Sequence, residues 1–241
     1  MKYPKISQIV TGVVLAVLLS TFAGCMTLAK DNPLGLGDSW KEEVLLHDGT
    51  TLIAKRSQRY GGYPTIDSRS RALCEEEWEF TIPGTKQQVT WKNDGRNPPE
   101  GTSLTLIMLD FLNGVPYIAT YPAGCISYNH WGRPNPPYVF FKHDGTSWQR
   151  IPLEEFPKEF TVTNVIIGRP EHAHRSGIQP ASTVKEENRR LEPYLRVFVR
   201  EPFDPKKTQS NVNCEELVYY KGSWISPGDS IGRRMMDHTS K

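Results

Sequence analysis

The sequence predicts a mainly β protein, an antiparallel hairpin-built sandwich or barrel-like domain with one short helix near 181–191. Three observations predict it. Short runs rich in Val, Ile, Phe, Tyr and Trp recur along the chain, and pairs of them flank Asp-Gly, Asn-Gly or Pro-Gly. The 19 Gly and 19 Pro fit a chain with many turns. Helical signal is scarce throughout.

The hairpins follow in order. Residues 44–47 and 51–56 flank Asp48-Gly49, and 78–82 and 87–91 turn around Pro83-Gly84. Residues 104–112 and 115–121 flank Asn113-Gly114, and 138–143 and 147–151 flank Asp144-Gly145. A weaker pair, 216–220 and 223–225, turns around Lys221-Gly222. Asp-Gly and Asn-Gly are strong hairpin signals because type I′ turns need positive φ at both central residues. Segments 161–167 and 194–200 add two strand candidates. The helix is read at 180–191, with Ser182 as a possible N-cap and Glu186 and Glu187 early in the run. Residues 153–156 suit a single turn, and 168–182 reads as a long surface loop. A faint echo links His47-Asp48-Gly49-Thr50 to His143-Asp144-Gly145-Thr146, and Cys74-Glu75-Glu76 to Cys214-Glu215-Glu216. Turn chemistry that arises often explains it more simply than duplication.

The N-terminus carries an address. Lys2 and Lys5 precede an apolar run over 9–22, followed by the small residues Ala23 and Gly24. That is the layout of a secretory signal. At roughly fourteen residues the run is short of the about twenty needed to cross a ~30 Å hydrocarbon core. Phe22-Ala23-Gly24-Cys25 resembles the lipobox of Gram-negative bacterial lipoproteins, with Phe22 where the family usually has Leu. The resemblance covers residues 1–26 and implies cleavage before Cys25 and acylation of Cys25. Several acyl chains hold firmly where one is marginal. Met26, where an Asp would signal inner-membrane retention, implies the periplasmic face of the outer membrane. The expected organisation is a signal over 1–24, a lipid-anchored tether over 25–39, and a single β-rich periplasmic domain over 40–241.

Loss of Lys2 and Lys5 brings the 29 Lys+Arg level with the 27 Asp+Glu. A zero balance argues against a nucleic-acid partner, which needs a basic face. Cys74, Cys125 and Cys214 remain, so an oxidising compartment predicts one disulfide and one thiol over, with the pairing open. No two of them have C-x₂-C spacing, so zinc is not expected, and no cofactor is implied.

Catalytic patterns are weak. Gly228-Asp229-Ser230-Ile231-Gly232 matches the nucleophile-elbow pattern, but few residues follow Ser230 to supply a triad, and a C-terminal turn fits better. His172 and His174 fall in the loop and read as solvated. Segment 143–148 looks like a degenerate Asp-box, a structural turn. Glu77 and Glu79 should face solvent together if Trp78 and Phe80 face inward. The most suggestive stretch is 128–137, where Tyr128, His130, Trp131 and Arg133 crowd a Pro-stiffened loop, a possible partner-binding site or a rigid connector. The expected function is a lipid-anchored, non-enzymatic binding or structural module with an envelope protein as possible partner. Two alternatives stay open: a periplasmic hydrolase of glycan or peptide, and an exclusion or immunity-type lipoprotein.

Overall fold

The computed structural model describes residues 37–61, 72–94, 101–170 and 177–239, with the backbone alone at 61, 72, 74, 94 and 239. Strands β1 (Gly37–Leu45), β2 (Thr51–Gly61), β3 (Ala72–Thr81) and β4 (Gln88–Asp94) are followed by β5 (Leu104–Leu112) and β6 (Val115–Pro122). Helix α1 (Cys125–His130) precedes β7 (Val139–His143), β8 (Trp148–Ile151) and the two-residue β9 (Ile178–Gln179). Helix α2 (Val184–Glu187), strands β10 (Val218–Tyr220) and β11 (Ser223–Ile225), and helix α3 (Ser230–Thr239) complete the chain.

Two open sheets pack face to face. One runs β4-β3-β2-β1-β9, the other β5-β6-β7-β8, and β10-β11 forms a separate hairpin. The described strands close no barrel, so of the two predicted architectures the sandwich is the one formed. β1 pairs antiparallel with β2 from Gly37↔Arg59 to Leu45↔Thr51, while β9 joins β1 in parallel at Lys41↔Ile178. Alternation along β1 turns Trp40, Glu42 and Val44 inward and Lys41 and Leu45 outward.

Val44, Trp78, Phe80 and Trp91 of the first sheet meet Leu106, Leu109, Ile118 and Val139 of the second in one core. A second core lies on the other face of the second sheet. There Ile107, Met108, Tyr117 and Phe140 pack against Phe156, Phe160, Tyr194 and Phe198 from an irregular outer layer. β5 is therefore buried on both faces, which its near-continuous apolar run, LTLIMLDFL, requires. A register shift between Leu106 and Met108 lets Ile107 and Met108 face one core while Leu106 and Leu109 face the other.

The turns split into two kinds. Asn113-Gly114 and Lys221-Gly222 have positive φ at both residues, as type I′ demands. Asp48 and Asp144 do not, so the type I′ expectation fails at both Asp-Gly hairpins. Their carboxylates instead accept backbone amides: Asp48 from Thr50 at 2.9 Å, Asp144 from Thr146 and Ser147 at 2.8 Å each. That side-chain turn widens each loop. The His-Asp-Gly-Thr echo is thus shared turn chemistry.

Other expectations are corrected. Residues 161–167 and 194–200 form no strands, only one isolated bridge, Val162↔Val197. Side chains satisfy the backbone there. Asn188 accepts from Ile167 N and donates to Val165 O, Glu42 accepts from Ile166 N, and Arg56 donates to Ile166 O. Asn164 likewise grips β5, accepting from Leu109 N and donating to Leu109 O. The predicted helix is broken into a 3-10 turn at Ala181–Thr183, α2, and a second 3-10 turn at Asn188–Arg190, and Ser182 caps nothing. The Asn188 side chain is drawn into 165–167, and Glu192-Pro193 ends the run. The turn at Leu153–Glu155 forms as expected. Ser230 opens α3 instead of sitting in a terminal turn, and Asp229 caps it by accepting Gly232 N at 2.8 Å.

Inside the first sheet lies an ionic cluster. Arg56 is fully buried between the Trp40 and Trp78 rings, at 4.9 and 4.6 Å, and pairs with Glu76 at 2.5 Å and Glu42 at 3.6 Å. Glu42 accepts Trp40 Nε1 and Ile166 N, and Gln58 donates to Glu76. Burial nonetheless lifts the Glu42 carboxyl above its ordinary range, outweighing the Arg56 guanidinium beside it. Of the disulfide candidates, Cys125 and Cys214 are joined across 89 residues, and the Cys74 side chain lies outside the described residues.

Candidate functional site

A cleft of about 700 Å³ opens where the β1–β2 turn, the 159–164 segment, the 181–188 helical stretch and residues 193–197 converge. Its size falls in the range of small-molecule sites, about 300–1,000 Å³. Phe160 and Val184 are buried in its wall, while at the mouth Leu45, Val162 and Val197 are 49%, 58% and 55% exposed. Solvent-facing aliphatics gathered around one concavity mark a site more than any one of them alone does.

His47 and Asp110 sit in the lining. The β1–β2 turn, fixed by Asp48 and Thr50, presents His47; β5 presents Asp110, a lone acid in an apolar strand. His47 Nδ1 lies 2.8 Å from Asp110 Oδ1, and the His47 backbone N–H donates to Oδ2 at 2.9 Å. Phe111 N donates to Oδ1 at 2.7 Å. Burial raises the Asp110 carboxyl, and these donors oppose that shift. Phe160 meets the imidazole edge at 5.0 Å between ring centres. The ring is thus held on one nitrogen and one edge, which fixes its orientation. Nε2 has no hydrogen-bond partner among the described residues.

The charged rim is uneven. Lys185 and Arg196 are exposed in the lining and have no ion-pair partner among the described residues. Glu159 is the one exposed acid there, and its charge acts on Arg200. The cleft can therefore orient a ligand through a fixed imidazole, cover an apolar body, and offer cations to a negative group. Among the described residues no three His, Cys, Asp or Glu group closely enough to hold a metal ion.

No family model, curated protein or solved structure matches the chain. Its chemistry is therefore read from its own residues.

Residues 128–133, expected as loop, begin on α1 (Cys125–His130), which carries Tyr128 and His130, and are built differently from the cleft. Tyr128 is buried, and Arg133 covers its ring at 5.1 Å while donating to Cys214 O and Glu215 O. Trp131 packs against the sandwich core and donates from Nε1 to Thr102 O at 2.9 Å. Arg150 lies over the Trp131 ring and donates to its carbonyl. His130 is the exposed member, with Trp131 and Trp224 as ring neighbours and its imidazole pKa lowered by partial burial. Three of the four predicted residues thus make internal ties.

Glu75, Glu77 and Glu79 are matched by Lys92 and Lys55, and Glu76 faces the core against Arg56. His172, His174 and Cys25 lie outside the described residues. The cleft was missed because its central pair is separated by 63 positions. The usable signal was Asp110 itself: a carboxylate inside a doubly buried strand must find a donor.

Proposed function

We propose that the chain is a lipid-anchored envelope protein, tethered through Cys25, whose domain is a non-enzymatic binding module with the His47 cleft as its ligand site. The tether rests on the lipobox resemblance and the outer-membrane location on Met26. The observation that carries the binding role is the cleft. Exposed Leu45, Val162 and Val197 surround an opening lined by an imidazole that the buried Asp110 fixes. Apolar exposure of this kind is unfavourable in water, at about 25 cal/mol per Å², and a ligand that covers it recovers that free energy. A fixed imidazole supplies orientation.

The test is native mass spectrometry of the Cys25→Ser chain after equilibration with an envelope extract. The expected result is a retained small-molecule adduct that disappears in Val197→Asp while the melting temperature stays put, since Val197 is exposed. An adduct indifferent to Val197→Asp would move the ligand elsewhere, and no adduct would remove the binding role.

A further inference from the structure

The geometry points to an amphipathic anion as the occupant of the His47 cleft, a molecule with a compact apolar body and a single carboxylate or phosphate head. This rests on the cleft being the ligand site and names the chemistry it takes. The apolar half is set by the wall, where Phe160 and Val184 lie beneath Leu45, Val162 and Val197.

The charged half is set by what the lining leaves uncountered. Two acids line the cleft. Asp110 is buried and closed off by His47 N, His47 Nδ1 and Phe111 N. Glu159 is exposed and, as a single charge, offsets one of the two cations. Those cations, Lys185 and Arg196, stand exposed in the lining with no ion-pair partner among the described residues. A cationic ligand would meet both of them as like charges, and a neutral one would use neither. A planar head suits Arg196, whose guanidinium can donate to two oxygens at once, with Lys185 as the second charge. A peptide strand fits less well, because backbone groups it would pair with are occupied. Asn164 donates to Leu45 O, Thr163 N donates to Arg196 O, and Phe198 N donates to Thr161 O.

Isothermal titration of the full chain carrying Cys25→Ser tests this with decanoate, decyl phosphate, decanol, decyltrimethylammonium and inorganic phosphate. Decanoate and decyl phosphate should bind one per chain, decanol more weakly, and decyltrimethylammonium and inorganic phosphate not measurably. The Lys185→Glu, Arg196→Glu double variant should weaken both anions at least about tenfold, the loss expected for a charge-assisted contact, and leave decanol unchanged. Both positions are exposed, so the melting temperature should hold. Equal binding of decanol and decanoate, indifferent to the double variant, would overturn the anionic head. Inorganic phosphate binding as tightly as decyl phosphate would overturn the apolar body. If no amphiphile binds while the envelope adduct still depends on Val197, the cleft remains the site and the amphipathic anion is wrong.

Discussion

Arg56 holds its place because two indoles and two carboxylates surround a guanidinium with no access to water. Removing one partner from such a set costs on the order of 3–5 kcal/mol, because a buried charge is left uncompensated. Glu42 is the titrating member. Burial raises its carboxyl, so the folded chain holds that proton more tightly than the unfolded chain, whose value is near 4.5. The contribution is present below that pH and is lost as pH rises through the folded value. Glu42→Gln cannot titrate. In urea denaturation, the advantage of the native protein over Glu42→Gln should therefore shrink between pH 4.5 and 7.5. An advantage that grows over the same interval would show that Arg56 outweighs burial.

At the scale of elements, the tie between α1 and the segment before β10 decides what residues 128–133 do. The Cys125–Cys214 disulfide closes an 89-residue separation, worth about 4.6 kcal/mol on chain entropy. Arg133 adds contacts to Cys214 O and Glu215 O, and Asn129 accepts Leu217 N. Arg133→Ala should consequently lower stability by about 1–3 kcal/mol, the cost of stranding polar groups, and calorimetry should show a lower melting temperature. An unchanged melting temperature would return Arg133 to the surface as a partner contact. The sequence displays the residue types of this segment but not their partners: Cys214 and Glu215, which Arg133 reaches, lie more than eighty positions away, and Thr102, which Trp131 reaches, lies 29 away. Hairpins are legible for the opposite reason: a turn residue and its neighbours decide them locally. Segment 161–167 misleads because its β-branched composition suits a strand, while Asn188, Glu42 and Arg56 supply its hydrogen bonds from elsewhere.

At the scale of the molecule, two sheets and an irregular outer layer meet at one cleft, and the β-rich runs flanking turn dipeptides made the strands foreseeable. The cleft was not foreseeable in the same way. Its walls come from the β1–β2 turn, from β5 and from the outer layer, and no local pattern joins His47 to Asp110. Hydrogen–deuterium exchange of the Cys25→Ser chain, with and without an envelope extract, tests the cleft most directly. New protection should concentrate at 45–47, 159–164 and 193–197, where the lining backbone lies. Protection centred on 128–133, or none anywhere, would contradict the cleft as the binding site.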